Sequence, residues 1–194
     1  MLAAVILSGG ASRRMGSPKA LLPYQGRPFL EHLLDVTSLP GIGVRRVVLG
    51  ADAESIAKAV RLKPEEIVIN VDWEKGQLSS IQAALRSLPP GTKGMMLCLI
   101  DHPLISVELA RELIEQFHVS KKAIVLPVYK GRRGHPVIFS AALYDELLGA
   151  PLEMGARAVV WAHPGDVEEV RTIEEGCVLN LNDPETLRKG IAGP

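Results

Sequence analysis

Residues 8–19 read Ser-Gly-Gly-Ala-Ser-Arg-Arg-Met-Gly-Ser-Pro-Lys, a loop that joins backbone freedom to fixed positive charge. Gly9, Gly10 and Gly16 let backbone N–H groups approach an anion closely, and Arg13, Arg14 and Lys19 add cationic side chains. The chemistry this favours is phosphate binding. The string lacks the Gly-Lys-Ser/Thr ending of a Walker loop and is not a GxGxxG pattern. A basic loop after a strand is common; two glycines, then Arg-Met-Gly, then Pro-Lys, directly after an apolar run, is a more specific string. Further along, Asp101-His102-Pro103 stops another apolar run, which puts a carboxylate at the end of a strand.

The elements that must hold these residues alternate. Ala3 to Ser8, Arg46 to Leu49, Ile67 to Val71 and Met95 to Ile100 are continuous apolar runs and read as buried strands. Between them, helical spacing runs from Phe29 to Val36, from Ala53 to Val60 with Asp52 as N-cap, and from Ser79 to Leu88. Ser106 caps a further helix reaching about His118, with Glu108 and Glu112 in its early turns, where the dipole favours negative charge. Strands are expected at Ala123 to Val128, Pro136 to Phe139, Val167 to Ile173 and Cys177 to Leu181, with helices at Ser140 to Leu148, Gly155 to Ala162 and from Pro184, capped by Asp183. Unbroken apolar strands alternating with helices predict a parallel sheet covered on both faces. The expected fold is α/β, a single three-layer domain with a mixed, mainly parallel sheet. Ligands in such sheets bind beyond the carboxyl ends of the strands, so the loops after Ser8, Asn70 and Ile100 are the expected site.

Composition narrows the function. Lys+Arg and Asp+Glu both number 22, and aromatics are 4%, so nucleic-acid binding through a basic or aromatic surface is disfavoured. Cys98 and Cys177 each sit in an apolar run without metal-ligand spacing and read as buried thiols. Trp73 and Trp161 read as packing residues, and Met15 as a filler beneath the loop. No apolar run nears the ~18 residues of a membrane span, and the N-terminus lacks a basic region before its apolar run, so the cytoplasm is the expected location.

The string from Leu7 to Pro23 resembles the signature of the molybdenum-cofactor cytidylyltransferase and guanylyltransferase family of small nucleotidyltransferases. Gly76-Gln77-Leu78-Ser79-Ser80, Asp101-His102-Pro103, Gly134-His135-Pro136, Gly155-Ala156-Arg157 and Asn180-Leu181-Asn182-Asp183-Pro184-Glu185 resemble its later motifs in order, so the likeness spans essentially the whole chain, 1–194. It implies a Rossmann-like fold, an NTP-binding N-terminal half and an acceptor-binding half from about 120 to 194. It also implies transfer of NMP, with pyrophosphate leaving, onto molybdopterin phosphate, and transient contact with a molybdenum hydroxylase.

Roles follow from that likeness. Ser8, Gly9, Gly10, Arg13 and Gly16 would cradle phosphates, and Arg14 and Lys19 would neutralise the β- and γ-phosphates. Gly76, Ser79 and Ser80 would contact the base, although both serines equally suit helix capping. Asp101 would be the main Mg²⁺ ligand and Asn182 a second, since Mg²⁺ takes few protein oxygens beside substrate phosphates. His135 and Arg157 would serve the acceptor; a cation at a helix start opposes the dipole, which favours an anion-binding role for Arg157. The chain departs from the cytidylyl branch at Gly9, where that branch usually has Ala, and at Asn180 and Asn182, where it has carboxylates. Met154 also stands near where that branch has an Asp. Gly9 and the asparagines resemble the guanylyl branch. CTP is the preferred donor on the remaining motifs. The alternatives are GTP, a sugar 1-phosphate acceptor, and a non-catalytic nucleotide-binding regulatory domain.

Overall fold

Leu2–Ser8 (β1) is apolar at every position and buried at every position, which demands cover on both faces. It lies between two parallel neighbours, Ile42–Leu49 (β4) and Gly94–Leu99 (β6). The computed structural model describes residues 1–11, 16–182 and 186.

Beyond β4, Ile67–Ile69 (β5) forms one edge. On the other side of β6, Val137–Ser140 (β9) runs antiparallel, followed in space by Ile124–Tyr129 (β7) and Val167–Arg171 (β10), the last pair parallel. The sheet order is thus β10-β7-β9-β6-β1-β4-β5, mainly parallel with β9 reversed, and Arg132–Arg133 (β8) pairs with β7. A two-stranded ribbon, Pro23–Tyr24 (β2) and Arg27–Pro28 (β3), follows the first loop.

The period of two along β1 splits the core. Leu2, Ala4 and Ile6 pack with Phe29–Val36 (α1), Ala53–Ala59 (α2) and Val107–Ser120 (α4). Val5 and Leu7 pack with Gln77–Ser87 (α3), Tyr144–Gly149 (α5) and Arg157–Ala162 (α6). Helices therefore cover both faces, and the expected three-layer α/β domain is what the chain forms. The core is mainly aliphatic, with Phe29 and Phe139 also fully buried, and Cys98 and Cys177 are both buried free thiols, as expected. Burial pushes the Cys98 thiol up to about 12.

Most elements lie within a residue or two of their expected bounds, and the differences have local causes. Ser106 caps α4 through its Oγ, which accepts from Leu109 N at 3.0 Å. Asp52 stands at the start of α2 without a side-chain capping bond. β5 stops at Ile69 because the Asn70 side chain turns the backbone, its Oδ1 accepting from Asp72 N at 3.0 Å. Cys177 to Leu181 is not a strand: Glu175–Cys177 is a 3₁₀ turn, and Val178 and Leu181 after it are buried without forming a ladder. The helix expected from Pro184, with its Asp183 cap, and Met15 lie outside the described residues.

Candidate functional site

After β1 the chain turns to β4 and β5 on one side, then crosses back to β6 on the other. The order reverses between β1 and β6, where the carboxyl ends of open parallel sheets form a crevice. A cavity of about 410 Å³ lies there, lined by Ser8, Gly9, Gly10, Lys19, Trp73, Gly76, Gln77, Ser80, Asp101 and Asn182, among others. Residues separated by most of the chain thus converge on one crevice, as the motifs require.

The loop end is built by close backbone contact. Gly9 O accepts from Ala51 N at 3.2 Å. A Cβ at Gly50 would run into that same carbonyl and stand 2.7 Å from Trp73 Cβ, so glycine alone fits there. Trp73 therefore does pack, while its ring borders the cavity. Gly16 is exposed and off the cavity wall. Arg13 and Arg14 lie outside the described residues.

Lys19 begins a 3₁₀ turn, Lys19–Leu21, and its side chain is only 15% exposed. Its Nζ donates to Asn182 Oδ1 and stands 3.9 Å from Asp101 Oδ2. Asp101 follows β6 at the crevice, and its backbone oxygen accepts from Leu181 N at 2.8 Å, which carries Asn182 alongside. A carboxylate and an amide oxygen thus flank one ammonium, that of Lys19. Among the described residues no group of three or more His, Cys, Asp or Glu converges as a metal site. A hard cation that keeps substrate oxygens in its shell needs few protein donors, and a carboxylate and an amide oxygen are donors of that kind.

The opposite wall is organised by Asn70, which the sequence marks only as a loop position. Its Nδ2 lies 2.9 Å from both Ser79 Oγ and Ser80 Oγ. Ser79 Oγ turns back to Gly76 O at 2.8 Å and Asp72 O at 2.9 Å, so it braces the turn and does not line the cavity. Neither serine is the helix cap: Gly76 holds that position with φ 97°, a left-handed conformation suited to glycine. Ser80 does line the cavity, and its Oγ stands 3.1 Å from where a Gly9 Cβ would be.

A second cavity, about 690 Å³, shares Glu74, Gly76 and Gln77 with the first. His135 and Arg157 border it, so the structure separates them from the phosphate end. His135 is held by its N–H to Cys177 O at 2.8 Å. Its ring lies 5.1 Å from that of buried His102, whose Nε2 is 3.9 Å from Asp101 Oδ1. Burial, ahead of the neighbouring imidazole, lowers His135 to about 4, and burial also lowers His102. The paired imidazoles are therefore neutral near pH 7. Trp161 is not a core residue: it is 61% exposed at this cavity's edge.

Fold and crevice together define a nucleotide-binding α/β domain with a phosphate-type loop and an adjoining second chamber. The chain belongs to the MobA-like NTP transferase domain family, whose model matches residues 4–167. It is 33% identical over 193 residues to nicotine blue oxidoreductase of Paenarthrobacter nicotinovorans, covering 94% of this chain and 93% of that protein. It is 29% identical to the molybdenum cofactor guanylyltransferase of Rhizobium meliloti, covering 97% of this chain and 90% of the other. Among solved structures, Rv0371c of Mycobacterium tuberculosis superposes with TM-score 0.85 at 25% identity, covering 100% of this chain and 99% of that one. The same mycobacterial protein is also known as a complex with manganese, TM-score 0.80, 25% identity and the same coverage. Among the described residues no helix is long and apolar enough to cross a membrane.

Proposed function

We propose that the chain transfers a nucleoside monophosphate from an NTP, CTP by preference, to a molybdopterin-type phosphate, releasing pyrophosphate. The observation carrying this reading is the pair of cavities joined along Glu74, Gly76 and Gln77. One carries Gly9, Gly10, Lys19, Asp101 and Asn182, groups suited to polyphosphate; the other is larger and has room for an acceptor body. An oxygen of the acceptor phosphate attacks the α-phosphorus in line, and the bond to the pyrophosphate oxygen breaks. Such chemistry needs positioning and charge neutralisation rather than a covalent intermediate. Gly9 and Gly10 admit the phosphates to backbone N–H groups. Arg14 and Lys19 take charge building on the leaving pyrophosphate. Asp101 and Asn182 would hold Mg²⁺, which when bound neutralises the phosphates. The Asn70–Ser79–Ser80 network fixes the wall against which the base lies. His135 and Arg157 face the acceptor, within a C-terminal half from about 120 onward.

GTP is the second reading of the donor. It is supported by Gly9, whose missing methyl leaves the space before Ser80 Oγ open, and by the guanylyltransferase relative. The oxidoreductase relative sets the rival from another class. A single experiment separates them: each NTP with Mg²⁺ and molybdopterin, read as pyrophosphate release. Release with CTP above GTP is expected, with a cytidylylated product. No release with any NTP, together with reduction of nicotine blue, would overturn nucleotidyl transfer.

A further inference from the structure

The transfer reading asks for two cations in the first cavity, Lys19 on the phosphates and a metal ion on Asp101 and Asn182, yet the structure holds Lys19 against both of those donors. Its Nζ donates to Asn182 Oδ1 and stands 3.9 Å from Asp101 Oδ2. All three side chains line one cavity with Ser8, Gly9 and Gly10. Lys19 and Asp101 are only 15% and 20% exposed, so little water screens the pair. The backbone beneath the ammonium is anchored: Leu21 N donates to Pro18 O at 2.9 Å, Leu22 N donates to Lys19 O at 3.1 Å, and Ala20 is buried. Beyond that anchor the side chain is a flexible aliphatic stem, able to carry its charge to a new partner without moving the chain.

We propose that Lys19 is a placeholder for the metal ion: it keeps Asp101 and Asn182 together before nucleotide arrives, holds divalent cations off them, and releases them when a polyphosphate draws its charge away. A carboxylate and an amide oxygen both accept, so without a donor between them they would face each other unsatisfied; the ammonium supplies that donor. A divalent ion cannot take the same oxygens while the ammonium is there, because like charges a few ångströms apart with little water between them repel. A triphosphate changes the balance. It brings several negative charges to the glycine loop beside Lys19, and phosphate oxygens hold an ammonium more strongly than a neutral amide does. Once Lys19 turns to the phosphates, both donors are open, beside oxygens that complete a hard cation's shell. Nucleotide therefore comes first, and Asp101 and Asn182 become available to a divalent ion only with it. This rests on the transfer reading for the metal and the polyphosphate, while exclusion of metal by Lys19 is measurable without transfer.

The test titrates Mn²⁺ into the full chain and reads free Mn²⁺ by electron paramagnetic resonance, with and without the α,β-methylene analogue of CTP, which cannot transfer. The analogue's own binding of Mn²⁺ is measured without protein and subtracted. The parent should bind Mn²⁺ roughly tenfold more tightly, or better, with the analogue than without it. Lys19→Met keeps the stem and removes the charge, and should bind Mn²⁺ alone about tenfold more tightly than the parent. Lys19→Ala should do the same, and serves if the Met variant folds poorly. Lys19→Arg keeps a cation and should stay within about threefold of the parent. Adding Asp101→Asn to Lys19→Met should abolish the gain. Equally tight Mn²⁺ binding by the parent without the analogue, no gain in the neutral Lys19 variants, or a gain that survives Asp101→Asn would overturn the placeholder. The expected pattern in a protein that releases no pyrophosphate with any NTP would sustain it while removing nucleotidyl transfer.

Discussion

The two cavities are built by different means. The first is built from backbone and a few fixed charges: a glycine turn, a lysine between two oxygen donors, and a serine wall pinned by Asn70. The second mixes apolar walls, Leu97, Val137, Phe139 and Val160, with charged and polar side chains, Arg133, His135, Glu153 and Arg157. On the proposed function, chemistry belongs to the first cavity and acceptor choice to the second. Substitutions in the first cavity should strike turnover, and those in the second should strike affinity for the acceptor.

The sharpest way to break that contrast is at Asp101. Asp101→Asn removes the one carboxylate from the donor pair and should lower pyrophosphate release by about 1,000-fold or more, with partial recovery at high Mg²⁺ or with Mn²⁺. Asn182→Asp should stay active and bind metal more tightly. Wild-type rate and metal dependence in Asp101→Asn would remove the metal-ligand role and the strongest argument for transfer at this site.

Lys19 comes next. Lys19→Met keeps the aliphatic stem in its half-buried setting and deletes the charge, which should cost about 2–4 kcal/mol in the transition state. The loss should fall on kcat with little change in acceptor KM. A fall in acceptor affinity instead would place Lys19 with the second cavity.

The His102–His135 pair sharpens the contrast through stability. With His135 lowered to about 4 from 6.5 by burial, the unfolded chain takes up a proton between those values and the native chain does not. Native stability should therefore be at its plateau above pH 6.5 and fall by up to about 3 kcal/mol as the pH drops toward 4. His102, also lowered, acts in the same direction. Melting temperature from pH 7.5 to 4.5 reads this, compared with His135→Gln, whose profile should be flatter. Identical profiles would show that the imidazole is not the group responsible.

The smallest effect is expected at Gly9. A methyl there meets Ser80 Oγ at 3.1 Å, so the hydroxyl must yield by a few tenths of an ångström. Gly9→Ala should shift the kcat/KM ratio toward CTP over GTP by roughly threefold to tenfold, the scale of one methylene in a pocket. An unchanged ratio would show that this wall does not meet the base.

How much of this could be read beforehand follows the same division. β1, β6, α1 and α4 are plain in the sequence because local pattern and tertiary burial agree. Asp101 stands out because a strand must end for it to be there. The run from Cys177 to Leu181 misleads, since Cys177 and Val178 are buried in the core without pairing in a ladder, and period alone cannot tell these apart. Lys19, read in isolation, seems an exposed cation in a flexible loop; its partner Asn182 is 163 positions away. Asn70 and Trp161 share that difficulty. The role of each depends on what the sheet order brings beside it, and Trp161 carries an ordinary core residue's name on a surface turn of helix.

The hydrogen bond from Leu181 N to the Asp101 carbonyl has a consequence for how the protein matures. It closes a long loop of chain before Asp101 and Asn182 can both reach Lys19, and loop closure of that length is an entropic cost met only when the intervening sheet has formed. Affinity for nucleotide and metal should thus appear late during folding, after the core and not before it. A newly made chain would be blind to its substrates until it is nearly native, and ligand bound across that junction would in turn hold the last segment in place.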